Sequence, residues 1–143
     1  MKKQIALILL LCSMMAAAGS INHRSKIVLD DQGTNMILTE MRKMLSGTKD
    51  IILALAENDM AKVSKAAGQM GKHMTHQVER SKIMGSLPSE FRKLGMSVHA
   101  DFDKISTDAA THGESASILK QLGTAMNKCV ACHEGYRLVK APE

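Results

Sequence analysis

From Asp31 to the end of the chain, the apolar residues recur at intervals of three and four positions. This spacing places them on one side of an α-helix, whereas the apolar–polar alternation typical of a β-strand is not evident in this region. Only 2 prolines and 10 glycines interrupt the 143 residues. The pattern therefore predicts an all-α fold without strands.

Four amphipathic stretches follow one another, and start or stop signals separate them. Asn58 and Asp59 end the first stretch. Ser86, with Pro88 in the first turn, begins the third, and Gly113 ends it. Because short connections join the stretches, they predict an antiparallel up-down four-helix bundle. The stretches are 31–57, 60–78, 86–112 and one that begins at Ser115 or Ser117 and reaches Arg137.

The same spacing predicts which face of each helix is buried. At two places in the first helix the spacing does not decide which of two neighbouring residues is buried: Met44 or Leu45, and Ile51 or Ile52. The third helix has the clearest face. The remaining members are Ile37, Met41, Thr48 and Leu55 in the first helix; Val63, Ala67, Met70, Met74 and Val78 in the second; Phe91, Leu94, Val98, Phe102, Ile105 and Ala109 in the third; and Leu119, Leu122, Met126, Cys129 or Val130, His133 and Arg137 in the fourth.

The first 18 residues have the order of a secretory signal peptide. Lys2 and Lys3 precede an apolar run, Ile5–Met15, and three alanines end at Ala18. A transmembrane helix needs about 20 apolar residues, so no stable membrane insertion is expected. We therefore expect cleavage after Ala18, export to the periplasm and one domain over residues 19–143. A retained anchor and lipidation at Cys12 are the alternatives, although Leu11 stands where a lipoprotein site normally has a small residue.

Cleavage would remove Lys2, Lys3 and Cys12, which lowers the net charge from +5 to +3 and leaves two cysteines. The remaining basic side chains are spread among acids, and only 2% of the residues are aromatic. Both features argue against nucleic-acid binding. Because the sequence contains no nucleophile–base set and no glycine-rich phosphate loop, we predict that the protein is not an enzyme.

One motif in the expected mature chain carries chemistry: Cys129-Val130-Ala131-Cys132-His133. On a helix, positions i, i+3 and i+4 share a face, so both thiols and the imidazole point to the same side. This five-residue run is the attachment signal of a c-type haem, in which the thiols bind the porphyrin and the histidine binds the iron. We therefore predict one covalently bound haem c on Cys129 and Cys132, with His133 as an iron ligand.

Three other uses of the cysteine pair compete with haem attachment. A zinc site needs four ligands, and no second ligand pair has the usual spacing. A thioredoxin-like dithiol is expected in a βαβ context, which this helical pattern lacks. A structural disulfide between Cys129 and Cys132 stays open, although it leaves His133 and the export signal unexplained.

A helical chain with one such motif near its C-terminus, continued here as Glu134-Gly135-Tyr136-Arg137, resembles the class II c-type cytochromes, the cytochrome c-prime family. The resemblance implies a four-helix bundle with one haem, a type of bundle that often forms homodimers. It also places Arg137 beside the iron-binding histidine, where a cation can tune the iron. The alternative is a solvated arginine in the last helical turn.

In that family, a residue of the first helix faces the iron opposite the histidine and decides the function. Relatives with an apolar residue there are five-coordinate and bind NO or CO, whereas low-spin relatives place a methionine there and transfer electrons. In this chain the position falls within Glu40–Met44. We predict Met41 as the ligand, with Met44 as the second candidate, although either could simply fill the core.

The predicted function is therefore one-electron transfer with redox partner proteins, and five-coordinate gas binding is the alternative. A small haem peroxidase is a third hypothesis, but no distal acid–base pair can be named for it. The other helical histidines, His73, His76 and His99, are interpreted as structural because the haem motif uses only His133.

Overall fold

The computed structural model describes residues 22–72 and 83–142. The predicted signal peptide, His73 and His76 lie outside these residues. The protein is mostly helical, and one small sheet of two strands accompanies the helices. The elements are β1 (Ser25–Leu29), α1 (Asp31–Ala56), α2 (Met60–Gly68), α3 (Ser89–His112), α4 (Ser115–Gly135) and β2 (Tyr136–Lys140).

The boundaries of α1 agree with the sequence prediction. The carboxylate of Asp30 caps the helix by accepting a 2.7 Å hydrogen bond from the amide of Gly33. After the helix, Asn58 adopts a left-handed φ of 53°. Asp59 then caps α2 by accepting a 2.9 Å hydrogen bond from the amide of Lys62. The predicted break at Asn58-Asp59 is therefore confirmed.

The second helix is shorter than predicted. The apolar spacing predicts a helix over 60–78, but α2 ends at Gly68. Met70 continues the apolar stripe and is only 2% exposed, although it lies in a turn. The apolar spacing does not show where the helix ends, because it continues past Gly68 and Gly71. Both glycines are weak helix formers, so the helical backbone stops there although the apolar stripe does not. The predicted residues 73–78 lie outside the described residues.

The third helix begins later than predicted, at Ser89, with Pro88 as its N-cap residue. Ser86 belongs instead to the helical residues 83–86, and its hydroxyl donates a 2.8 Å hydrogen bond to a carbonyl three residues earlier. A serine hydroxyl can bind the backbone at either end of a helix, which explains the error. Gly113 ends α3 as predicted.

The two strands contradict the expectation of a chain without strands. They pair in parallel, with Ile27 opposite Leu138. In β1 the buried Ile27 and Leu29 flank the exposed Val28. Each strand has only 5 residues, and the pairing joins the two ends of the described chain, so local periodicity does not reveal it. β2 also contains Arg137, which the sequence assigns to the fourth helix.

The apolar side chains form two separate clusters. The larger, called the main core, receives residues from all four helices, and the smaller, called the strand-end cluster, lies at the two strands. Contacts between α2 and α3 are extensive, whereas α1 and α4 contact each other sparsely along a line called the α1–α4 seam. The main core contains Ile51, Ala54, Leu55, Val63, Ala67, Met70, Val98, Phe102, Ile105, Ala109, Ile118 and Leu122. The strand-end cluster contains Ile27, Leu29, Ile37, Leu87 and Phe91.

The structure resolves the choices left open in the face of α1. Ile51 is fully buried, whereas Ile52 is 46% exposed. Met44 packs against the main core, and Leu45 is 73% exposed. In α3 the predicted face is confirmed at every position except Leu94, which is only partly buried.

The predicted face of α4 is partly wrong. Leu122 is buried as expected, but Leu119 and Met126 are 56% and 44% exposed. Ile118 and Ala125 are buried in their place. The apolar residues of α4 cover two sides of the helix, so their spacing alone does not identify the side that packs inward.

Candidate functional site

The cysteine–histidine motif lies in the last two turns of α4. Cys129 and His133 are exposed, and Cys132 is partly buried against the strand-end cluster. The two thiols are free and do not form a disulfide. Because the segment is helical up to Gly135, the three side chains have the i, i+3, i+4 arrangement predicted from the sequence.

The surroundings of the two thiols make them poor nucleophiles. Partial burial raises the pKa of the Cys129 thiol. Burial also raises the pKa of Cys132, and the neighbouring Cys129 adds to the effect when it is charged. An ordinary thiol pKa already lies above neutrality, so both side chains remain protonated near pH 7. The pair therefore lacks the lowered pKa of a reactive redox dithiol.

Contacts on two sides hold the end of α4 in place. Lys128 forms a 2.5 Å ion pair with Asp101 of α3, and both side chains are about 30% exposed. Lys128 also donates a 3.2 Å hydrogen bond to the carbonyl of Ser97. From the segment before β1, the guanidinium of Arg24 donates a 3.3 Å hydrogen bond to the carbonyl of His133. The motif is thus fixed between α3 and the N-terminal segment.

Only one of the two methionine candidates packs against the strand-end cluster. Met41 of α1 and Cys132 of α4 both pack against it. Nearby, the rings of Phe91 and Tyr136 meet edge to face, with centroids 5.3 Å apart and an interplanar angle of 77°. Met44 packs against the main core instead. The structure therefore brings Met41, and not Met44, to the cluster that contacts the motif.

The residues at the two ends of the α1–α4 seam show how the two helices are oriented. At one end Met41 and Cys132 share a cluster. At the other end, a groove of about 320 Å³ lies between the C-terminal turns of α1 and the N-terminal turns of α4, where Ile52 and Leu119 are among its lining residues. The two helices therefore run in opposite directions along the seam.

An apolar surface accompanies this seam on both helices. Its members lie seven residues apart on α1 and recur at seven and four on α4, so each set forms a stripe. The two stripes meet in the groove at Ile52 and Leu119, and exposed apolar residues aligned in this way are a candidate surface for a ligand or a partner. The stripes are Leu38, Leu45 and Ile52 on α1, which are 36%, 73% and 46% exposed, and Leu119, Met126 and Val130 on α4, which are 56%, 44% and 53% exposed.

The predicted position of Arg137 in the last turn of a helix is wrong. Arg137 lies in β2, directly opposite Lys26 of β1. Its Nε atom is buried and has no hydrogen-bond partner among the described residues. The helix ends before it because the chain turns into the strand after Gly135.

His99 is buried, with 5% of its surface exposed. Its Nδ1 atom lies 2.7 Å from the carbonyl oxygen of Met70, and its Nε2 atom lies 3.9 Å from a carboxylate oxygen of Glu40. These contacts connect α3 with α1 and with the segment after α2.

Sequence reasoning missed the contribution of the strands to the site. Arg24, Ile27 and Tyr136 all lie in or beside the strand pair that closes the end of the molecule next to the motif. The available signal is the short apolar–polar alternation in Ser25–Leu29 and Tyr136–Lys140.

Within residues 22–72 and 83–142, no group of three or more His, Cys, Asp or Glu side chains is arranged to hold a metal ion. In the same residues, no helix combines the length and hydropathy needed to cross a lipid bilayer. Comparisons of the chain with protein-family models, curated proteins and solved structures found no match. Function is therefore inferred from the residues of this chain.

Proposed function

We propose that the protein is an exported monohaem c-type cytochrome, similar to the class II family, that carries single electrons between redox proteins of the bacterial periplasm. In this proposal the helices form an antiparallel up-down four-helix bundle, and residues 1–18 are removed on export. The observation that carries the proposal is the Cys-x-x-Cys-His run on the last turns of α4, beside an uncovered apolar seam.

The donor set suits a covalently attached haem. The two sulfurs bind two separate vinyl groups and the imidazole binds the iron, so the three side chains must share a face without meeting at one point. Cys129 and Cys132 with free thiols, and His133 with an exposed imidazole, meet this requirement. When bound, haem supplies an iron that cycles between Fe(III) and Fe(II).

The apolar seam also suits a large flat ring. Burying one leucine, valine or methionine side chain contributes about 1.5–3 kcal/mol relative to leaving it exposed. Covering Leu45, Met126 and Val130, which are 73%, 44% and 53% exposed, would therefore contribute several kcal/mol. A haem in the seam would also explain how a chain with 2% aromatic residues fills its interior.

We infer that Met41 would be the second protein ligand of the haem iron, beside His133. It is the candidate that packs against the same cluster as Cys132, and it lies on the helix across the seam. A thioether ligand raises the reduction potential, and six-coordination leaves no open position for a gas. This favours electron transfer over the capture of NO or CO.

Haem attachment is tested by denaturing gel electrophoresis with haem staining, on protein exported by a host that matures c-type cytochromes. We expect the stain to migrate with the polypeptide, because thioether bonds survive denaturation. Cys129→Ser and Cys132→Ser should weaken or abolish the stain, whereas the control Ala131→Ser, between the two cysteines, should keep it. An unstained wild-type band would contradict the proposal.

The distal ligand is tested by visible absorption spectra of the reduced protein. We expect a low-spin wild type, because in this proposal Met41 and His133 would both bind the iron. Met41→Ala should become high-spin and bind CO, whereas Met44→Ala, which removes packing from the main core, should stay low-spin. A high-spin wild type that binds CO readily would instead indicate the five-coordinate gas-binding protein.

A further inference from the structure

Three cations lie around the C-terminal end of α4, and none of them is a residue proposed to attach the haem or to bind its iron. Arg24 donates to the carbonyl of His133 at 3.3 Å. Lys26 and Arg137 lie directly opposite each other in the parallel strand pair. These three residues are called the basic patch.

No carboxylate in the described part of the chain forms an ion pair with the basic patch. Among residues 22–72 and 83–142, no ion pair includes Arg24, Lys26 or Arg137. Other cations close by are paired, since Lys128 of α4 binds Asp101 and Lys140 of β2 binds Asp31. The positive charge is therefore concentrated where the strands meet α4.

This arrangement costs stability in the isolated protein. Like charges directly opposite each other in a strand pair are destabilising, as Lys26 and Arg137 are here. In addition, the Nε atom of Arg137 is buried and has no hydrogen-bond partner within the described chain. An unsatisfied buried donor carries a desolvation penalty, which is larger for a charged group. A negatively charged partner on this face would relieve the repulsion between Lys26 and Arg137.

The strands direct these cations away from the apolar interior. Ile27 is part of the strand-end cluster, and Leu138 packs against it. Side chains alternate along a strand, so the preceding residues Lys26 and Arg137 lie on the opposite face. Glu134, the one acid in the last turn of α4, is exposed and forms no ion pair with them among the described residues. A partner therefore meets a net positive surface from outside.

We propose that the basic patch is the docking surface for a redox protein with an acidic surface. This inference rests on the proposed cytochrome function, and Arg24 links the two because it contacts the backbone of the proposed iron ligand. A local field of one sign raises association rates by about 10–1000-fold, and salt screens the effect. The patch would thus place the partner at the end of the molecule that holds the haem motif.

Small redox reagents of opposite charge test the basic patch without the natural partner. The reduced, haem-loaded protein is oxidised by anionic hexacyanoferrate(III) and, separately, by cationic tris(phenanthroline)cobalt(III). Lys26→Glu and the milder Lys26→Gln are compared with Lys120→Glu, an exposed lysine of α4. Lys120 is 13 positions before His133 in α4, or about 20 Å along the axis. The Debye length is only about 10 Å at 0.1 M ionic strength, so this control should be screened.

At about 0.1 M ionic strength, we expect Lys26→Glu to slow oxidation by the anion at least about threefold and to accelerate oxidation by the cation. Lys26→Gln should change both rates in the same directions by less. Lys120→Glu should change either rate less than about twofold, and the differences should vanish near 1 M salt.

Haem stain and visible spectra of each variant separate the two proposals. Normal spectra with equal effects of Lys26→Glu and Lys120→Glu would contradict the docking surface while the cytochrome proposal stands. Loss of haem in the Lys26 variants alone would also contradict docking, because it would mean that the patch holds the carboxylates of the haem. A wild type without haem would overturn both proposals.

Discussion

The two sides of the helical body differ in how completely they bury their apolar surface. Where α2 packs on α3, Val63 and Ile105 are fully buried and Phe102 is 2% exposed. Along the α1–α4 seam, Leu45 and Val130 are 73% and 53% exposed. The α2–α3 side, called the closed side, is stabilised by its own side chains. The side along the α1–α4 seam is called the open side, and we interpret it as completed by haem. The contrast can be tested by changing each side separately.

The largest single-residue effect is expected on the closed side. Phe102→Ala should lower the free energy of unfolding by about 3–5 kcal/mol, because it leaves a cavity in the main core. The loss should be similar with and without haem, since Phe102 lies in a cluster of protein side chains. Urea unfolding followed by circular dichroism measures it, with Leu53→Ala as the control, because Leu53 is 54% exposed and lies outside the α1–α4 seam.

Removal of haem should affect the open side more than the closed side. In the double variant Cys129→Ser/Cys132→Ser, we expect amides of α1 and α4 along the seam to lose protection from hydrogen exchange. Amides of α2 and α3 should keep most of theirs, because the main core does not depend on the seam. Uniform loss of protection across all four helices would contradict this division.

A substitution in the seam should act only when haem is present. Leu45→Ser should destabilise the haem-loaded protein by about 1–2 kcal/mol, because it removes an apolar contact with the ring. In the haem-free chain the same change should stay within about 0.5 kcal/mol, as for other exposed positions.

Leu53→Ser is the matched control for Leu45→Ser. Leu53 lies on the same helix and is 54% exposed, but it borders a groove with Lys62 and Lys65 of α2. It should have no haem-dependent effect. Equal effects of the two substitutions, measured by urea unfolding of both forms, would count against a ligand in the seam.

The smallest expected effect is at the N-terminus of α1. Asp30→Ala removes the side chain that caps the amide of Gly33, which should cost about 1 kcal/mol. The loss should be equal with and without haem, because the cap lies in neither the main core nor the α1–α4 seam. Thermal unfolding of both forms measures it, and Gln32→Ala, at an exposed position in the same turn, is a control that leaves the cap in place.

The sequence predicts the closed side better than the open side, and the reason is physical. In α3, Val98, Phe102 and Ile105 form one stripe, so the buried face follows from spacing alone. In α4, Ile118 and Leu119 offer two stripes, and only the neighbouring helices determine which one is covered.

The residues of the candidate site also differ in how well the sequence predicts them. Cys129, Cys132 and His133 are identified from a local motif, because their chemistry depends on spacing within one helix. The proposal of Met41 rather than Met44 rests on the packing of α1, which the sequence does not reveal. The short alternation in each strand is a weak local signal, but no local pattern encodes the pairing of the two distant strands or the contact of Arg24 with His133.

The central claim, a haem held covalently by the two cysteines of α4, is tested most directly by intact mass spectrometry of the exported protein after denaturation and alkylation. We expect the mass of residues 19–143 plus one haem, with Cys129 and Cys132 both unavailable to the alkylating reagent. The mass of the bare chain carrying two alkyl groups, or a disulfide between the two cysteines, would contradict it.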